Sequence, residues 1–83
     1  MIKCLILKNG VNLISEIIEL GDEVDSGEPD CRLVNPFQIS SNEELNRWPT
    51  FTDQRSLMIS SESVITIVEP SQSIHDKYKG LVL

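Results

Sequence analysis

His75-Asp76, together with the chain's many serines, holds on paper the parts of a nucleophile, a general base and an orienting carboxylate. The spacing argues against such a triad. No Gly-x-Ser-x-Gly elbow presents a serine at a sharp turn, and His75 falls in the C-terminal tail. Carboxylates are abundant, but no pair stands out for acid–base work, and glycine is too sparse for a phosphate loop. A non-enzyme without a cofactor is expected.

Metal chemistry fares no better. Cys4, Cys31 and His75 lack the spacing of zinc ligands. Asp22, Glu23 and Asp25 offer oxygens in an acidic stretch from Glu19 to Asp30 that contains no Lys or Arg. That stretch lacks the Asp-x-Asp-x-Asp-Gly pattern and closing Glu of a calcium loop, so a solvated loop is the expectation and no metal is assigned. The two cysteines read as buried, reduced thiols. The opening MIKCLILKNG is shorter in apolar content than a signal peptide requires, and no apolar run approaches the roughly 20 residues of a membrane span. A soluble cytoplasmic protein with no membrane partner is therefore expected.

Charge bears on partners. The net charge of −6 attracts no phosphate backbone, so nucleic-acid binding would need a local basic patch. The basic residues are scattered. Arg47 beside Trp48, with Arg55 further on, is the best basic–aromatic surface the sequence offers. Trp48, Phe51, Phe37 and Tyr78 have faces on which bases stack, but aromatics are few and core packing or subunit contact is the more economical use of them.

These side chains must be positioned by short strands. Ile2 to Leu7 is apolar and is followed by Lys8-Asn9-Gly10, where Asn-Gly predicts a type I′ hairpin turn into Val11 to Leu20. Val11, Leu13 and Ile17 share one face of that second strand, and Ile14, Ile18 and Leu20 the other. Such a pattern suits a strongly bent strand whose halves are covered by different neighbours. Gly21 to Pro29 reads as a polar loop. Cys31 to Ile39 is a third strand interrupted by Pro36, which demands either an edge position or a bulge at Asn35-Pro36. Arg47 to Ile59 reads as a long fourth strand and Val64 to Val68 as a fifth. Ser71 to Lys79 suits a short helix capped by Ser71, with Ile74 and Tyr78 on its buried side and Gly80 just past its end. Five bent strands in so short a chain close into small barrels of the OB or Sm/SH3-like kind.

Ile59-Ser60-Ser61-Glu62-Ser63-Val64, followed by Ile65-Thr66-Ile67, resembles the second signature of the Sm-like (LSm) family, in which an Ile, a four-residue turn and a Val or Ile join the last two strands. The hairpin, the bent second strand, the acidic loop and Leu33-Val34-Asn35 resemble the first signature in outline. The resemblance covers most of Met1 to Pro70, and is to a divergent small member of bacteriophage or uncultured-microbe type, which would place a phage-encoded chain in its host's cytoplasm. It implies an all-β fold, a small five-stranded, bent-sheet open barrel over residues 1–70, with residues 71–83 as a tail that forms the short helix.

It also implies a homo-oligomeric ring of five to seven subunits and single-stranded RNA as partner, in an RNA-binding or RNA-processing accessory role. The matching RNA positions are Asn35, Ser60, Ser61 and Ser63. The departures are specific. The Arg or Lys, Gly and Asn that the family's RNA-binding members carry in the turn are here Ser60, Ser61 and Ser63, and the family's N-terminal helix is missing. A structural or protein-interaction ring that has lost the RNA site stays open beside the RNA reading. Assembly itself has a physical motive, because an open barrel leaves unpaired strand edges. Head-to-tail pairing of the fourth strand with a neighbour's fifth closes into a ring. The expected interface is Leu57, Ile59 and the run Val64, Ile65, Thr66, Ile67 and Val68.

Overall fold

The computed structural model describes residues 1–20 and 29–82. Six strands and a helix follow in chain order: β1 Ile2–Leu7, β2 Asn12–Glu19, β3 Cys31–Ile39, β4 Leu45–Arg47, β5 Ser56–Ile59, β6 Val64–Val68 and α1 Gln72–Val82. A 3-10 turn, Ser61–Ser63, joins β5 to β6. Every pairing is antiparallel; the order is β4-β3-β2-β1-β6, with β5 also on β3. The chain is thus a small all-β open barrel with a C-terminal helix, built among the described residues from six strands rather than the five expected.

The extra strand comes from the expected fourth one. Arg47 to Ile59 does not run as a single strand: β4 pairs residues 37–39 of β3, β5 pairs residues 31–34, and residues 48–55 loop out between them. The interruption lies opposite Asn35-Pro36. Proline has no N–H to offer a ladder, so the fourth line of strand cannot continue across that point.

Asn35-Pro36 is also where β3 bulges. Ile14 faces Phe37 but Glu16 faces Val34, so β3 carries one more residue than β2 across this interval. Asn35 has φ 53°, in the left-handed region that asparagine tolerates better than most residues. β3 has neighbours on both sides, so of the two readings Pro36 allowed, the bulge is the one realised. Its consequence is a change of face. Leu33 packs into the barrel interior with Leu5, Leu7 and Leu13, whereas Phe37, four residues on, packs on the opposite side with Ile14, Ile74 and Tyr78.

The fold therefore has two small cores, one inside the barrel and one between the sheet and α1. This accounts for the mixed pattern of β2. Leu13 and Ile17 face the interior, and Ile14 faces the helix. The two faces are not two halves of a bent strand covered in turn; Ile18, beyond the reach of α1, stays exposed.

Two local expectations change in detail. The Lys8-Asn9-Gly10 connection is not a type I′ turn: only Gly10 has a positive φ, at 89°. Gly10 N–H donates to Leu7 O at 3.0 Å and Leu7 N–H to Val11 O at 2.9 Å, which makes a three-residue connection with glycine at the bulge. Asn9 acts through its side chain, accepting from Val11 N–H at 3.0 Å. Ser71 does cap α1, its Oγ accepting from Ile74 N–H at 3.3 Å. The helix then runs through Gly80 to Val82, because Val82 packs on the helix-side core.

Candidate functional site

The turn between β5 and β6 is built by its own serines. Ser60 Oγ accepts from Glu62 N–H at 3.3 Å, and Ser63 N–H returns to Ser60 O at 3.0 Å. Ser61 is held from outside the turn. Its N–H and its hydroxyl both donate to the Asp30 carboxylate, each at 2.7 Å. Those bonds stabilise the ionised form, so the Asp30 pKa lies below its ordinary value, with the Ser61 hydroxyl the first cause and its backbone N–H the second. Ser63 leaves its side chain exposed, while its carbonyl accepts from Lys8 N–H at 2.9 Å.

Asn35 lies elsewhere. It is four residues along β3 from Cys31, the partner of Ile59, which is roughly 13 Å at the usual rise of a strand. The structure thus brings Ser60, Ser61 and Ser63 together with Asp30 and leaves Asn35 in the bulge. There Asn35 N–H donates to Arg55 O at 2.6 Å, and Arg47 faces Phe37 across the ladder. The loop-out therefore returns Arg47 and Arg55, eight positions apart in sequence, to neighbouring points on β3. Both are exposed, and so is Phe51 between them, at 88 %. Phe51 is not a core residue. Phe37 and Tyr78 are, in an edge-to-face pair with centroids 5.9 Å apart. Trp48 is half-buried against the interior core.

The expected interface residues divide by face. Leu57, Ile59 and Val64 are half-buried and pack on the interior core, so they support the edges from within. Ile65, Thr66, Ile67 and Val68 are exposed, Ile65 most at 62 %. Leu7 pairs with Val64 but Ile6 with Thr66, so Ile65 is the extra residue of a bulge in β6. Among the described residues β6 pairs only with β1, and β5 only with β3. Beside β6 opens a cleft of about 460 Å³, walled by Val64 to Ile67 and by Glu19, Asp30, Cys31 and Ser61.

Both cysteines are free thiols, Cys31 buried and Cys4 half-buried. Burial pushes each thiol pKa up, with neighbouring carboxylates adding to the effect, so neither is a poised nucleophile. No cluster of metal-ligating side chains occurs among the described residues. The expected solvated loop with Asp22, Glu23 and Asp25 lies outside those residues. No helix among them is long and apolar enough to cross a membrane.

Sequence reasoning missed two residues. Asp30 clamps the serine turn from 31 positions away, and no local signal announces that pairing. Tyr78 was visible as an apolar helix position, but its hydroxyl does more. It accepts from Glu16 N–H at 3.2 Å and reaches Val34 O at 3.1 Å and Asn35 O at 3.0 Å, the backbone groups the bulge takes out of the ladder. Ser15 Oγ, fully buried, donates to the same Val34 carbonyl at 3.0 Å.

Fold and site together define a small open all-β barrel whose sheet, among the described residues, ends at β6 on one side and at β4 and β5 on the other, locked at its central bulge by a C-terminal helix. The chain belongs to the family of unknown function DUF6561, whose model matches residues 1–83. No curated protein matches it.

Proposed function

We propose that this chain is a non-enzymatic, Sm-like ring subunit whose role is structural or protein-interacting. One observation carries the reading. Among the described residues β6 has only β1 as a sheet neighbour and β5 only β3, and β6 presents Ile65, Ile67 and Val68 outward, an apolar strand edge. Pairing of β5 in one copy with β6 of the next satisfies both edges and repeats without end until a ring closes. The cleft beside β6 leaves room for the incoming strand. Native mass tests it directly: a single species of five to seven copies of the 9.3 kDa chain is expected, and a monomer at micromolar concentration overturns it.

RNA binding is the second reading, and what favours it is that Arg47 and Arg55 return to neighbouring points on β3 at the bulge, with exposed Phe51 in the loop between them. Against it stand the net charge of −6 and the commitment of Ser61 to a carboxylate. Titration with oligo-U or oligo-A at several salt concentrations separates the two readings. Tight binding with a steep salt slope, lost on Arg47→Ala and Arg55→Ala, gives the ring an RNA role.

A further inference from the structure

Backbone hydrogen bonds decide which residues an edge strand can offer a partner. Leu7 N–H donates to Val11 O, so the alternation of an antiparallel ladder turns the backbone groups of Leu5 and Leu7 toward β2. Their partners on β6, Ile67 and Val64, therefore turn their own N–H and C=O away from β1. On β5 the marker is Asn35 N–H donating to Arg55 O. It directs Leu57 toward β3 and leaves the backbone groups of Ser56 and Met58 directed outward. Gln54 Nε2 reaches the Ser56 carbonyl at 2.7 Å, as an outward-directed oxygen allows.

We infer that the cleft of about 460 Å³ beside β6 receives the Met58 side chain of a second copy, with that copy's Arg32 set against Glu19. The inference rests on the ring reading and specifies its contact. In a ladder between β5 and the next copy's β6, the residues that exchange hydrogen bonds are those already directed outward. Met58 then stands opposite Val64 or Ile67, and opposed residues share a face of the sheet. Val64 and Ile67 line the cleft, so Met58, 39 % exposed in the single chain, enters it. Arg32 follows, because it opposes Met58 on β3 and shares its face.

Charge identifies the occupant. The cleft walls carry Glu19 and Asp30 and no basic residue. Asp30 is engaged by Ser61, whereas Glu19 is exposed and makes no ion pair among the described residues. Arg32 is likewise exposed, with no ion pair among them. The two do not serve each other within one chain. Glu19 opposes Cys31 and Arg32 opposes Ile18, so they lie on opposite faces of the sheet. Between copies the ladder brings the Arg32 face of one to the Glu19 face of the next.

Native mass across a dilution series tests this with wild type, Glu19→Arg, Arg32→Glu and the chain carrying both reversals. Both positions are exposed, and circular dichroism checks that each variant is folded. A single reversal puts like charges at the contact and should raise the concentration at which the assembly dissociates by roughly threefold to tenfold. The double reversal restores opposite charges at every contact and should recover the wild-type value. Met58→Glu, a further carboxylate in the same cleft, should weaken assembly more than Met58→Gln. A wild-type assembly that the single reversals leave unchanged, or that the double reversal fails to recover, overturns this contact and leaves the ring standing. A wild-type chain that stays monomeric overturns the ring and this contact with it.

Discussion

Tyr78 and Asp30 show how much a single polar contact decides in a chain this small. Tyr78→Phe keeps the ring and its packing on Phe37 but strips the hydroxyl from three backbone groups of the bulge. The expected loss is about 1–3 kcal/mol, read as a lower urea midpoint with an unchanged slope. Burial raises the Tyr78 pKa above its usual 10.0, so the contribution is whole below that value and fades as pH rises through the higher folded one. Asp30 has the opposite sign. Its pKa is depressed by Ser61, so its stabilisation is present above the unfolded value of 3.8 and is lost as pH falls through the lower folded value. Acid titration should therefore separate wild type from Asp30→Asn near neutral pH and bring them together in strong acid; a constant difference would show that Asp30 acts through shape rather than charge. Sequence made the buried side of Tyr78 legible through its i, i+4 spacing with Ile74. It left the hydroxyl's role hidden, because the partners are backbone atoms 62, 44 and 43 positions away.

Strands tell a similar story one level up. Pro36 made the β3 bulge legible, since a missing N–H is a local property of one residue. The division of the fourth strand was not legible, because its cause lies across the ladder on β3 and not in residues 48–55 themselves. The strand–turn–strand boundaries between Ile59 and Ile67 fall as read, with the turn wound as 3-10. The edge itself yields a paired prediction. Ile67 is 41 % exposed and Val64 packs on the interior core, though both lie on β6. Ile67→Asp should leave the monomer folded, within about 0.5 kcal/mol, and abolish the ring. Val64→Asp should destabilise the fold by several kcal/mol, since a carboxylate on a short stem cannot reach water from that face. Circular dichroism and native mass on both variants check this. An intact ring with Ile67→Asp would move the subunit contact away from β6.

At the scale of the molecule the dominant fact is charge. A ring multiplies −6 by its copy number, and every added subunit raises the repulsion that apolar edge pairing must exceed. Assembly should therefore strengthen with salt, the opposite of the salt response of RNA binding. Sedimentation at low and physiological ionic strength would show the larger species favoured at the higher salt. Neutralising Asp22, Glu23 and Asp25 together should act in the same direction while leaving the unfolding midpoint nearly unchanged. A collapse of folding in that triple variant would give the acidic segment a structural role that its composition does not suggest.

The hydroxyl of Tyr78 also sets a clock. Glu16 and Tyr78 stand 62 positions apart, and β1 finds its second neighbour, β6, only after nearly the whole chain has passed. Both closures are long loops whose entropy must be lost before any contact rewards it. During synthesis the β1–β2 hairpin can form early, but the β1 edge stays bare until β6 arrives and the bulge stays unsatisfied until α1 follows. An apolar edge of the same kind as those the proposed ring would use is then on view in an unfinished chain, so the order in which the chain emerges, as much as its final shape, governs whether copies aggregate.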